Sequence, residues 1–360
     1  MHEPAVQPES SQAPSTHYHL IDLLRGLAAL AILFWHYQHF SLTGPTDVVS
    51  PAELARQPLA GVFGPLYVHG HLAVQFFWLI SGFVFATVYA HRDTSTRAFA
   101  LARFARLYPL HLITLLVVTG LQAVSVDTTG QFQIYGNNDL RHFLLNLGFV
   151  SAWGLERGYS FNAPIWSVSI ELLVYALFWA IRRPLFRLGL LGPAVLTAVF
   201  LLGVTLKAGG PFWACGLFFF AGCTVSVFHT SHPGWKQPAV AVLAAVVALM
   251  LAQRLPAQAI AAAMAASLIL AAWAEQFVNR GTHSFPRGLG WIGDNTYSLY
   301  LWHIPVQIVL LLAISDKAVF ATPAFLIAWL VGMMALSRAS FLFIESPLRR
   351  RITARWSASG

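Results

Sequence analysis

Long apolar runs recur along this 360-residue chain and constrain its fold more than any other feature. A helix that crosses a bilayer needs about 20 mostly apolar residues. Ten runs on that scale lie at 19–40, 70–90, 101–124, 162–181, 188–206, 211–228, 238–253, 256–276, 295–314 and 320–343. The sequence therefore predicts an all-α polytopic membrane bundle of about ten transmembrane helices. The stretch 140–153 is too short and too polar to span, so it predicts an interfacial or re-entrant helix.

Composition supports a membrane protein over the alternatives. Hydrophobic residues make up 57% of the chain and charged residues 10%. Soluble domains average about 45–50% apolar and about 25% charged residues, so a soluble enzyme does not fit. The net charge of +8 comes from short basic clusters between apolar runs, which argues against a nucleic-acid partner. Cys215 and Cys223 share one apolar run, and we interpret them as small buried hydrophobes.

The distribution of Lys and Arg predicts the orientation in the membrane. If the N-terminus is cytoplasmic, fourteen of the 22 basic residues fall in inner loops and ends, and six fall on the opposite side. Excess Lys and Arg belongs on the cytoplasmic side, so both termini are predicted there. Residues 1–17 are polar and rich in Pro and Ser, which predicts a disordered cytoplasmic tail. Residues 18–348 then form the membrane domain, and 349–360 a basic cytoplasmic tail.

The first apolar run contains two ionisable groups, Arg25 and His36. They are eleven residues apart, which places them on one helix face about 20° apart and roughly 16 Å apart along the axis. Arg25 is then near the cytoplasmic mouth, and His36 is deep in the bilayer. A purely structural interpretation stays open, in which Arg25 reaches the headgroups and His36 bonds a neighbouring helix.

The third run opens with the pair Arg103 and Arg106, spaced i, i+3 on one face at the cytoplasmic boundary. Two guanidinium groups so placed suit a phosphate-rich ligand, because each can bind phosphate bidentately. Ordinary positive-inside anchoring would also explain them, and spacing alone favours it.

Polar groups in two further runs are predicted at a similar depth. Glu171 lies roughly 13 Å in from the outer side, close to the depth of His36, and must face a cavity or a partner. Trp166 and Ser167 add hydrogen-bond donors just above it. In the ninth run, His303 lies about 12 Å in from the cytoplasm. It is either a pocket residue or a core histidine bonded to a carbonyl.

Six segments, in order, resemble the acyltransferase-3 family of integral membrane O-acyltransferases. They are Arg25-x10-His36, FFWLISGF, RFAR with Tyr108-Pro109, WSVSIE, YSLYLWHIP and IESPLRR. The resemblance covers about 19–350 and implies ten core helices and transfer of acyl groups, commonly acetyl from acetyl-CoA, to sugars and other acceptors. It also implies that Arg25 and His36 are the essential pair of the first helix and that Arg103 and Arg106 are the RxxR motif. The chain resembles the stand-alone class that has no hydrolase-like domain.

The residues and the resemblance together predict a membrane-bound O-acyltransferase. It would move an acyl group, acetyl above all, from acyl-CoA to a hydroxyl of a sugar or cell-surface glycan in a bacterial inner membrane. His36 would act as general base, and Glu171 would orient it. The CoA phosphates would bind Arg103, Arg106 and Arg25. Acyl-CoA is a co-substrate, and neither a bound cofactor nor a metal is required.

Four residues are second-tier pocket candidates, namely His303, Tyr297, Trp166 and Ser167. The main alternative is a proton-coupled secondary transporter or lipid-linked sugar flippase that uses His36, Glu171 and His303 as a proton relay. Such a protein would show symmetric segments broken by Gly or Pro in two halves, and the sequence shows no such symmetry.

Overall fold

The computed structural model describes residues 18–45, 47–232, 234–278 and 290–357, and in these ranges the regular secondary structure is helical throughout. We number the α-helices α1 (His19–His36), α2 (Pro51–Ala55), α3 (Ala60–His69), α4 (Ala73–Tyr89), α5 (Thr96–Thr129), α6 (Leu140–Leu147), α7 (Trp166–Arg187), α8 (Leu191–Thr205), α9 (Pro211–Ser231), α10 (Lys236–Leu251), α11 (Pro256–Val278), α12 (Gly290–Asp294), α13 (Thr296–Ala313), α14 (Pro323–Ser340) and α15 (Ser346–Ser357). The predicted all-α class is confirmed.

Eight helical segments of the described chain are long and apolar enough to cross a membrane. They are His19–Ser41, Ala60–Tyr89, Thr96–Thr129, Ala163–Arg187, Pro211–Ser231, Gln258–Phe277, Thr296–Ala313 and Pro323–Arg355. The two other predicted spans coincide with α8 and α10, which have 15 and 16 residues. At 1.5 Å per residue, helices of that length fall short of a hydrocarbon core of about 30 Å. The polytopic architecture is thus confirmed, with eight full-length spans rather than ten in the described residues.

The regions outside the predicted spans are also ordered by local interactions. The stretch predicted at 140–153 begins with the eight-residue helix α6, whose first turn is capped by the Asp139 side chain. Hydrogen bonds from the backbone N–H and ring of His142 hold the pKa of the Asp139 carboxyl below its usual range. The predicted tail 349–360 is helical as far as residue 357, while 1–17 and 358–360 lie outside the described residues.

Helices α4 and α9 pack closely against each other, and glycine makes the approach possible. A Cβ atom at Gly82 would lie 1.8 Å from the carbonyl oxygen of Phe219, and one at Gly222 would lie 1.9 Å from that of Leu79. Cys223 packs in the same interface, where its Sγ donates a hydrogen bond to the Gly82 carbonyl at 3.3 Å. Cys215 and Cys223 are buried free thiols, as their apolar surroundings predict.

The helices α1, α4, α5, α7 and α13 surround the polar centre of the molecule. Helix α13 packs against α1, α5 and α14, and α15 packs against α5. Tyr297 at the start of α13 donates a hydrogen bond to the Leu107 carbonyl of α5 at 2.6 Å. This bond fixes α13 beside the helix that holds both arginines of the RxxR motif.

Candidate active site

A cavity of about 160 Å³ lies between these five helices. Its wall combines apolar side chains with a polar set: Arg25, Ser81, Arg103, Arg106, Ser167, Glu171, Tyr175, Thr296, Tyr297 and Tyr300. Phe85 in this wall has the Arg103 guanidinium 4.9 Å from the centroid of its ring. Trp78, two helical turns earlier in α4, donates an indole hydrogen bond to the Ser167 carbonyl at 3.2 Å. The structure therefore brings the three predicted arginines, Glu171, Ser167 and Tyr297 into one cavity.

The arginines of this cavity are incompletely paired. Arg25 donates hydrogen bonds to Asp22 at 3.1 Å and to Thr296 at 3.3 Å. Arg103 is 3.4 Å from the Tyr89 hydroxyl, and its Nε is buried without a partner among the described residues. Neither Arg103 nor Arg106 forms an ion pair with a carboxylate in the described part of the chain. Guanidinium groups held this way favour an anionic ligand, because a charged donor is costly to leave unpaired.

Glu171 lies with the arginines rather than with His36. Its carboxylate lies beside the hydroxyl groups of Ser81 and Tyr175, and these two side chains are joined to each other by a hydrogen bond of 2.8 Å. Arg106 and Arg103 are the basic residues whose charge acts on it. The structure places Glu171 in the predicted pocket but does not pair it with the His36 imidazole.

The His36 ring is oriented by its own helix. Its Nδ1 lies 3.1 Å from the carbonyl oxygen of Ile32, one turn earlier in α1. A carbonyl can only accept, so in the neutral ring the proton is on Nδ1 and Nε2 keeps its lone pair. That is the protonation state that a general base requires.

Two other histidines and a glutamine surround His36. The ring centroids of His303 and His39 lie 4.6 Å and 5.1 Å from its own. Gln307 donates a hydrogen bond to the His36 carbonyl at 2.7 Å, and its side-chain oxygen lies 2.9 Å from His39 Nδ1. His303 is fully buried, and neither ring nitrogen makes a hydrogen bond of good geometry with a described residue.

His39 and Gln307 were not among the residues predicted from the sequence. The available signal was weak. His39 follows His36 by three residues, and Gln307 follows His303 by four, which is one helical turn. An amide in an otherwise apolar helix is costly to bury alone, so Gln307 could have been selected on that ground.

The cavity and the histidines are adjacent rather than merged, because His36 is not part of the cavity wall. Tyr300 connects them. Its hydroxyl bonds Ser167 at 2.8 Å and the Pro164 carbonyl at 2.5 Å, and its ring centroid lies 5.9 Å from that of His303. From the cavity wall the order of rings is therefore Tyr300, His303 and His36.

Trp166 faces a different space from the other pocket candidates. It lines an outer cleft of about 660 Å³ together with Trp153, Glu156 and Tyr159. Its ring meets that of Trp78 edge to face at 5.8 Å. This aromatic pair separates the outer cleft from the arginine cavity.

Comparison with known proteins identifies the family of this chain. The acyltransferase-3 family model, described as an acyltransferase domain, matches residues 18–340. The chain belongs to the acyltransferase-3 family. It is 30% identical over 157 residues to Acyltransferase MdmB of Streptomyces mycarofaciens, covering 43% of this chain and 36% of that protein. It is 36% identical over 109 residues to Protein 2 in picA locus of Rhizobium radiobacter, covering 29% of this chain and 46% of that protein.

The matched regions thus span between a third and a half of the length of these two relatives. No solved structure matches the chain. Membership in the acyltransferase-3 family and the eight long apolar helices of the described residues identify a multi-pass membrane protein of this family.

Proposed function

We propose that this acyltransferase-3 protein transfers an acyl group, in the first instance acetyl, from acyl-CoA to a hydroxyl of a sugar or cell-surface glycan. One observation supports it above the others. A cavity holds two arginines that form no ion pair with a carboxylate of the described residues, and its wall includes Tyr300, whose ring lies next to a histidine pair. The arginines can bind anions, and His36 can act as a general base at some distance from them. This arrangement suits an acyl donor that has phosphates at one end and a thioester at the other.

In this proposal the donor lies along the cavity. Its phosphates bind Arg103 and Arg106, with Arg25 beside them, because guanidinium groups bind phosphate bidentately. The pantetheine arm then runs along α4 from Phe85 towards Val74, a distance of roughly 16 Å for eleven helical residues. The thioester reaches Ser167 and Tyr300 in the cavity wall.

The proposed chemistry uses Nε2 of neutral His36 as the base. It accepts the proton of the acceptor hydroxyl as the oxygen attacks the thioester carbonyl carbon. The C–O ester bond forms, the C–S bond breaks, and the proton passes from the imidazolium to the CoA sulfur. A transient acyl-histidine would use the same nitrogen. Glu171 lies beside Arg103 and Arg106 and does not bond the ring, so it takes no direct part in this proton transfer.

Mass spectrometry of surface glycans tests the proposal, because it identifies the acyl group and the acceptor together. Bacteria that express the wild-type protein should carry a glycan heavier by one acyl group, 42 Da for acetyl, than bacteria that express His36→Ala at the same membrane level. The exposed His69→Ala serves as the matched control and should behave like wild type. Identical glycan masses in the wild-type and His36→Ala strains would contradict the proposal.

A further inference from the structure

A fourth arginine, on the C-terminal helix, lies near the two arginines of the RxxR motif. Arg349 is in the segment IESPLRR, on α15, and α15 packs against α5. The charged groups that act on Arg349 are Arg106, Glu345, Arg103 and Asp294. Two of these are the arginines of the RxxR motif. Arg349 therefore adds a third positive charge near Arg103 and Arg106.

A local irregularity fixes the position of this helix. Between α14 and α15 the chain forms a five-residue π-helical turn, Phe341–Glu345. The Glu345 carboxylate is 5% exposed and accepts a hydrogen bond from Ser298 of α13 at 2.8 Å. Ser298 also bonds Ser340 of α14 at 3.1 Å. Such π-turns are frequent at functional sites. Here the turn holds the start of α15 beside the residues of α13 that line the cavity.

Arg349 lies on the same helix face as Glu345, because it follows four residues later. Its side chain is exposed, and its guanidinium forms no ion pair with a described carboxylate. Arg350, the next residue, lies about 100° further round the helix. Arginines close to one another repel, and Glu345 and Asp294 offset this repulsion only in part, so an anion of several charges stabilises the cluster of Arg349, Arg103 and Arg106.

We propose that Arg349 binds the phosphomonoester at the nucleotide end of the donor, the 3′-phosphate of acyl-CoA. This inference rests on the proposed function. In acyl-CoA the thioester is at one end, the pyrophosphate lies beyond the pantetheine arm, and the 3′-phosphate is the outermost anion. Arg103 and Arg106 line the cavity, whereas Arg349 is exposed and is not part of its wall. When the thioester lies deepest in the protein, the 3′-phosphate lies furthest out, and there it meets the exposed Arg349.

Two donors that differ by this one phosphate test the inference, acetyl-CoA and acetyl-3′-dephospho-CoA. For the wild type, removal of the 3′-phosphate should raise KM roughly ten- to hundredfold, the usual value of a charge-assisted phosphate contact, and leave kcat unchanged. Arg349→Ala should raise KM for acetyl-CoA by the same factor and leave KM for the dephospho donor as it is. Equilibrium binding of CoA and 3′-dephospho-CoA to protein in nanodiscs should show the same pattern without turnover.

Arg350→Ala is the matched control, since it removes the same charge from the same helix on another face. It should keep the full preference for the 3′-phosphate. Equal weakening of both donors by Arg349→Ala would overturn the inference, and so would an equal effect of Arg350→Ala. A wild-type protein that did not distinguish the two donors would also overturn it, although the proposed transfer reaction would stand. A wild-type protein that released no CoA in a His36-dependent manner would refute the proposed function itself.

Discussion

At the scale of single residues, the most informative contact is the one that orients His36. The Ile32 carbonyl holds the proton on Nδ1 and leaves Nε2 for chemistry. The bond is local to α1, so the orientation depends only on helix geometry. Gln307 adds a second restraint through the His36 carbonyl. The His36 residue is therefore held in place by two hydrogen bonds within the protein.

Removal of this imidazole should abolish acyl transfer without unfolding the protein. A lost general base typically costs about 10²–10⁴ in rate. His36→Ala should therefore lower the release of CoA from acetyl-CoA by that factor, measured with a thiol reagent on purified protein. Its thermal unfolding temperature should stay close to that of wild type. Full activity of a folded His36→Ala protein would remove the histidine from the mechanism.

The arginines should matter only for donors that have phosphates. Arg106→Ala should weaken the use of acetyl-CoA roughly ten- to hundredfold, and should leave the use of a short acetyl thioester such as S-acetylcysteamine unchanged. Arg103→Ala should act in the same direction, with an added packing effect because Arg103 covers the Phe85 ring. The exposed Arg92→Ala is the control. If both donors suffered equally, the pair would be a structural anchor.

At the scale of helices, the contact between α4 and α9 shows how closely the elements around the site are packed. The same α4 that lines the cavity through Trp78 and Phe85 meets α9 at Gly82 and Gly222. Without a hydrophobic driving force between helices in lipid, small residues that permit backbone contact supply much of the attraction. The position of the cavity wall therefore depends on this glycine contact.

A single methyl group should disturb this contact. Gly222→Ala places its Cβ against the Leu79 backbone, so the helices must separate, at a cost of about 1–3 kcal/mol. Thermal unfolding in detergent should show a lower midpoint. Gly332→Ala on α14 is the matched control, because nothing lies within 4 Å of that position. It should be neutral or slightly stabilising, since alanine is the better helix former. Equal midpoints for the two variants would show that the contact tolerates expansion.

At the scale of the whole molecule, the proposed function and the predicted orientation together imply that donor and acceptor bind on opposite sides. The predicted orientation places the arginines at the cytoplasmic side and His36 well inside the bilayer. The outer cleft beside Trp166 lies across the contact with Trp78 from the cavity. A donor bound from inside could thus present its thioester to an acceptor from the other side.

Proteoliposomes of one orientation test this separation. With acetyl-CoA only at the cytoplasmic face and the acceptor only at the other, the acylated product should appear in the acceptor compartment and free CoA on the donor side. Liposomes that hold His36→Ala provide the background. A reaction that required both substrates on one face would rule out transfer across the bilayer and confine the chemistry to that face.

The sequence by itself determined the class of fold and much of the site. Apolar runs of about 20 residues admit little other than membrane helices, because every backbone polar group must be satisfied within the segment. Helical periodicity also places Arg25 and His36 on one face of α1, and groups Arg103 with Arg106 on α5. These are relations within one helix, and they follow from spacing alone.

Only the tertiary structure decided which faces of different helices meet. It put Glu171 with Ser81 and Tyr175 rather than with His36, and it turned Trp166 towards the outer cleft. It also joined Gln307 to His36, from residues 271 positions apart in the chain. The physical reason is that lipid-facing and protein-facing surfaces of a membrane helix are equally apolar, so sequence periodicity does not distinguish them. Close packing between distant segments makes that choice, and with it the partners of each buried polar group.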